Sequence, residues 1–147
     1  MSYDVKEVAR YIITYFSKIR RPVTHLKLQK LLYFAWVDYY RERKDYLFDE
    51  EMAAWRLGPV SLSVYAEYCA YGAMPIDREY KDTQISLIDR QTIDRTLERL
   101  KGISPYKLVD LSHNPHHSWA RVFDNGRGEC HLIPFETIIS LEGSKRV

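Results

Sequence analysis

The side chains best suited to metal or nucleophilic chemistry are five histidines and two cysteines, and three of the histidines, His113, His116 and His117, fall within five residues. Three imidazoles so close could begin a zinc or iron site, with Cys130 or His131 completing it. The spacing is not that of HExxH on a helix, Pro115 interrupts it, and no cysteine pair or carboxylate stands at ligand spacing nearby. The expectation is one structural histidine and two exposed loop residues. Ser112 and His113 adjoin, but adjacency does not give a nucleophile its base, and no GxSxG occurs. Cys69 reads as a small core side chain. The six glycines never form GxGxxG or GxxxxGK, and Asn125-Gly126-Arg127-Gly128 reads as a hairpin turn. Glu50 and Glu51 read as solvated acids. No catalytic, cofactor or metal site is expected, and a small metal-dependent enzyme ranks third among the functional readings.

The elements that would carry these residues are mostly helical. Val5, Val8, Ala9, Ile12, Ile13, Phe16 and Ile19 follow helical spacing, with Asp4 and Glu7 as a capping box and Pro22 as the stop. Thr24 caps a longer helix to about Arg43. Its apolar residues cover most of its sides, which predicts a buried central helix. Its charges lie towards the ends, Lys27 and Lys30 early and Arg41 to Lys44 late. Residues 45–49 read as a loop and 51–55 as a short strand before a Gly58-Pro59 break. A third helix then runs from Val60 to Tyr71 and stops at Gly72. Asp89 is expected to cap a fourth helix with Ile93, Leu97 and Leu100 inward. Ser104-Pro105 opens a fifth carrying Leu108 and Leu111. Residues 118–123 read as a helical turn, 129–133 as a strand and 135–141 as a last helix. The fold class predicted is mainly α, an α-rich α+β single domain over residues 1–147. It would hold five to seven helices and a small two- or three-stranded β element, with an all-α bundle as the competitor.

The chain's 147 residues suffice for one hydrophobic core. Its 46% hydrophobic and 29% charged content argues against disorder. No run approaches the length of a membrane span, and the N-terminus, charged from residue 4, does not read as a secretory signal. Two distant cysteines fit a reducing cytoplasm. The net charge of +2 hides an asymmetry: residues 1–44 carry +6 and the remainder −4. The basic front suits an acidic partner, protein or nucleic acid, or is simply a set of solvated helix faces. A helix-turn-helix reading is open, but the second helix lacks a polar face for bases, so a nucleic-acid-binding regulator ranks second. Eleven of twelve tyrosines precede residue 81, and tyrosine serves both interfaces and cores.

The segment Thr24-His-Leu-Lys-Leu-Gln-Lys-Leu-Leu-Tyr-Phe-Ala35 resembles a block of the Panacea domain family, which includes SocA-like antitoxins and GepA-like phage-associated proteins. Phe48-Asp-Glu-Glu-Met-Ala-Ala-Trp-Arg-Leu-Gly-Pro-Val60 is similar to the next block, continued by Ser63-Val64-Tyr65 and Tyr71-Gly72. Leu111-Ser112-His113 with Trp119 is similar to the late block. Leu57 stands where tyrosine is common, His116 and His117 lie outside the pattern, and residues 124–147 match weakly. The resemblance implies a cytoplasmic antitoxin that neutralises a cognate toxin protein by direct contact, some relatives delivering the toxin to a protease as adaptors. It implies no membrane and no small-molecule substrate. Tyr39, Tyr40, Arg41, Arg43, Trp55, Arg56, Tyr65 and Tyr68 are the partner-binding candidates, by analogy with interface anchors. The family-motif positions Leu28, Gln29, Lys30, Leu31, Leu32, Tyr33, Trp55, Gly58, Pro59, Val60, Tyr65, Gly72, His113 and Trp119 are expected to hold the shared fold.

Overall fold

A computed structural model describes residues 2–144. Helix α1 (Val5–Lys18) starts at Asp4, whose side chain accepts the Lys6 N–H. The reciprocal half of the expected capping box is absent, because the Glu7 carboxylate accepts the Gln84 N–H instead, at 3.0 Å. Helix α2 (His25–Arg43) is capped by Thr24, which accepts the Lys27 N–H at 3.2 Å. It is the central helix: Leu28, Leu31, Leu32, Tyr33, Ala35, Trp36 and Val37 are all buried, and α1, the sheet and several later helices pack around it. One residue departs from the expected pattern. Lys30, read as a charge near a helix end, is wholly buried.

Strands β1 (Ala53–Trp55) and β2 (Gly58–Val60) form an antiparallel hairpin with Ala53 opposite Val60 and Trp55 opposite Gly58. Gly58-Pro59 is therefore paired strand rather than a break. Helix α3 (Leu62–Tyr68) starts later than expected, capped by Ser61. A 3₁₀ turn, Cys69–Tyr71, follows and ends at Gly72, whose φ is 58°. Cys69 lies exposed on this turn, not in the core.

Ser86, not Asp89, caps helix α4 (Leu87–Leu100), and its Oγ accepts the Asp89 N–H. The Asp89 carboxylate instead accepts bonds from Tyr3, Tyr39 and Arg43. Ile93, Leu97 and Leu100 face the core as expected. Much of the outer seam of α4 is polar: Tyr11 donates to Asp94 at 2.6 Å, Tyr15 to Glu98, and Arg99 to Asp38 at 2.8 Å. Helix α5 (Pro105–Ser112) buries Leu108, Val109 and Ser112 but leaves Leu111 outside, because the buried stripe runs through 108, 109 and 112 and Leu111 lies to one side of it. Helices α6 (Ser118–Phe123) and α7 (Phe135–Glu142) complete the described residues.

The strand expected over 129–133 is reduced to an isolated bridge between Leu132 and Ala53. Cys130 has a φ of 71°, which breaks the extended run, and Ala54 exchanges hydrogen bonds with Cys130 and His131. Asn125-Gly126 closes a 3₁₀ turn rather than a hairpin. The result is an α-rich α+β fold with seven α-helices and one two-stranded sheet among the described residues. No helix among them is long and apolar enough to cross a membrane.

Candidate functional site

The start of α2, the β1–β2 hairpin and α3 enclose an open, largely apolar groove of about 540 Å³. Helix α2 contributes His25, Leu26 and Gln29. The hairpin contributes Trp55, Arg56, Leu57 and Val60, and α3 adds Tyr65. Gly72, Glu129 and Cys130 close the rim. The register that sets Trp55 opposite Gly58 makes Arg56-Leu57 a two-residue turn, so both project outward. Arg56 reaches Glu129 at 3.4 Å with most of its side chain in solvent, an ion pair too exposed to hold the groove shut. The Trp55 and Tyr65 rings meet edge to face at 4.7 Å, and His25 lies 5.4 Å from Tyr65. Burial, then the positive charge of Lys30, lowers the His25 pKa and favours the neutral ring.

Behind the groove, a second set of side chains fixes the hairpin. Gln29 accepts the Ser61 N–H at 2.8 Å and donates to the Ser61 carbonyl at 3.2 Å. The buried Lys30 ammonium donates to the Pro59 carbonyl at 2.6 Å, and burial drags its pKa down to about 7. The Trp119 indole N–H donates to the Trp55 carbonyl at 2.8 Å. His113 stacks on Trp119 at 3.7 Å, and its buried Nε2 has no hydrogen-bond partner among the described residues. Burial, then the Lys30 charge, lowers the His113 pKa. Gly58 has a φ of 106°, and a Cβ there would sit 2.6 Å from Ser112 Oγ and 3.0 Å from Lys30 Cε. Gln29, Lys30, Gly58, Pro59, His113 and Trp119 are scattered over ninety residues of sequence, yet they act on one small hairpin.

The partner-binding candidates fall in three places. Trp55, Arg56 and Tyr65 come together at the groove. Tyr68 is buried beneath α3, with its hydroxyl 2.8 Å from that of Tyr80. The other four lie at the far end of α2, about 20 Å along the helix by its rise per residue. Tyr39 is buried and donates to Asp89, and burial, then that bond, pushes its pKa up to about 12. Tyr40 stacks on Trp36 at 5.7 Å. Arg41 donates to the Glu142 carbonyl at 2.7 Å, and Arg43 clamps Asp89, the Ile88 carbonyl and Thr92. These anchor-type residues tie the chain to itself, and the burial of Tyr39 and Tyr68 corrects their placement on a surface. Leu57, Leu26 and His25 were missed as groove residues. The signal for Leu57 was its place at the tip of a hairpin, legible only once Gly58-Pro59 is recognised as strand.

Among the described residues no three His, Cys, Asp or Glu side chains gather as a metal site. The exposed lining of the groove is mostly apolar, with His25, Arg56 and Glu129 among its residues.

A family model described as "Antitoxin SocA-like, Panacea domain" matches residues 28–120. The chain is also 30% identical, over 139 residues, to a protein named "Antitoxin SocA" of Caulobacter vibrioides, a match that covers 86% of this chain and 73% of the relative. No solved structure matches the chain.

Proposed function

This chain belongs to the antitoxin SocA-like, Panacea domain family, and from that premise we propose that it is the antitoxin of a bacterial or phage toxin–antitoxin pair, neutralising a cognate protein toxin by direct binding in the cytoplasm. The observation that carries the choice of site is the groove itself. It is an open apolar concavity beside exposed Leu57 and Tyr65, on a hairpin held from behind by family-motif residues. Such a division suits a domain that keeps its scaffold and varies its contacts. An interface of standard size takes about 800 Å² from each partner. That is a tenth of this chain's 7994 Å², so the groove and its rim are the centre of the contact and not all of it. Trp55, Arg56 and Tyr65 are of the residue types that concentrate binding energy. Blocking a toxin by occupation requires no catalytic group, so the role is non-enzymatic, and the chain acts as one domain.

The test is co-expression with the adjacent reading frame. That frame alone is expected to stop growth, and the pair to restore it and to co-purify. Failure of this chain to restore growth beside a growth-arresting neighbour overturns the proposal. Measuring toxin level separates simple blocking from delivery to a protease: blocking leaves the toxin abundant in complex, whereas delivery depletes it only while the protease is present.

A further inference from the structure

From residue 8 to residue 37 the sequence has six basic side chains and no carboxylate. Arg10 pairs with Glu7 and Glu67, and Lys30 is buried. The remaining four, Lys18, Arg20, Arg21 and Lys27, cluster at the turn between α1 and α2. There Arg21 and Lys27 line a cleft of about 330 Å³ against the α4–α5 connection, together with Lys101 and no carboxylate. Glu98 stands just outside, taken up by Lys101 at 2.9 Å and by the Tyr15 hydroxyl. Arg21 has no side-chain hydrogen bond or ion pair among the described residues. Lys27 makes one hydrogen bond, to the Lys101 carbonyl at 2.7 Å, and lies 5.5 Å from the centre of the Phe16 ring, but it meets no carboxylate. Burial, then the positive charge of Arg21, lowers the Lys27 pKa, so the two cations repel each other without an anion between them.

We infer that this cleft binds a phosphate group, with Arg21 and Lys27 as its cationic contacts. Two adjacent charges with no carboxylate partner, one a planar fork and one a point charge, match a multiply charged anion better than a single carboxylate. The starts of α2 and α5 also face the cleft; Thr24 takes the Lys27 N–H and Ser104 the Lys107 N–H, and the two helix ends add a favourable field. The site is remote from the apolar groove in its lining and independent of the antitoxin reading. The phosphate could belong to a free phosphate compound or to a nucleic-acid backbone, and the experiment distinguishes them.

The test is titration of the isotope-labelled full chain at low ionic strength, followed by amide NMR, with inorganic pyrophosphate in one arm and a short DNA duplex in the other. The expected result is saturable shifts at residues 23–28 and 103–108. If pyrophosphate alone produces them, the source is a free compound. If the duplex produces them more tightly, with steep loss on adding salt, it is a backbone. Arg21→Gln with Lys27→Gln weakens binding by about tenfold while leaving the rest of the spectrum in place. Arg21→Gln alone, a fully surface change, weakens it in the same direction. Arg121→Gln removes the same charge from an exposed site elsewhere and leaves binding unchanged. The proposal is overturned if neither probe shifts these amides saturably, or if Arg121→Gln weakens binding as much as Arg21→Gln.

Discussion

Lys30 occupies a core position of the kind that leucine ordinarily fills. It is fully buried in the central helix, its ammonium meets a single carbonyl, and its stem lies against Gly58. In the unfolded chain a lysine holds its proton to about pH 10.4. In the folded chain burial drives that down to about 7. Between those values the unfolded state binds more protons, so stability rises with pH across the window from about 7 to about 10. Below it both states are protonated and the burial penalty acts in full. Lys30→Met keeps the length and removes the charge. Urea unfolding near pH 6.5 and near pH 9.5 should find the native chain gaining on the variant by on the order of 1–3 kcal/mol. A difference between the two proteins that does not change with pH would refute this account. Nothing local marks Lys30 as buried. The carbonyl it needs comes from Pro59, 29 residues further on, and the helix pattern alone made it a solvated charge.

At the scale of elements, the hairpin is where expectation and structure part most. Gly58-Pro59 is a break by local rules, yet it pairs, because α2 and α5 pack behind β2 and leave room for no side chain at residue 58. Gly58 also takes a positive φ that other residues resist. Gly58→Ala should therefore cost about 2–4 kcal/mol, from strain and from displacement of Ser112 and Lys30. Gly72→Ala has the same backbone sign but open space around it, and should cost only about 1 kcal/mol. Thermal midpoints of the two variants check the contrast, and equal losses would mean that packing behind the hairpin contributes nothing. Other boundaries were legible. Thr24, Ser104 and Pro105 begin their helices where capping chemistry says they should, because those bonds are made within three residues. Asp89 was misplaced for the opposite reason: its partners come from elsewhere in the chain, Tyr3 from the segment before α1 and Tyr39 and Arg43 from α2.

For the molecule as a whole, the consequence is a division between a scaffold and a contact surface. Leu57→Asp changes an exposed position at the hairpin tip and should shift stability by no more than about 0.5 kcal/mol, whereas Tyr65→Asp also loses the ring contact with Trp55 and should cost about 1 kcal/mol while leaving the fold intact. Each should nonetheless abolish growth rescue in the co-expression assay, since a charge would have to be desolvated against an apolar partner. Tyr106→Asp alters a more exposed tyrosine on α5, outside the groove lining, and should preserve rescue. Full rescue by Leu57→Asp in a stably folded protein would place the toxin contact elsewhere.

Local sequence was sufficient for the α-rich architecture, the central helix and most caps, because periodicity and capping are governed by neighbours within a turn or two. It was also sufficient for the family, whose ordered blocks survive as residue types at set spacings. Only the tertiary structure decided which tyrosines and arginines face outward, that Lys30 lies in the core, and that a groove opens between α2 and the hairpin. Those outcomes depend on which distant carbonyl or carboxylate satisfies each polar group. Such pairings across tens of residues leave no periodic trace in the chain.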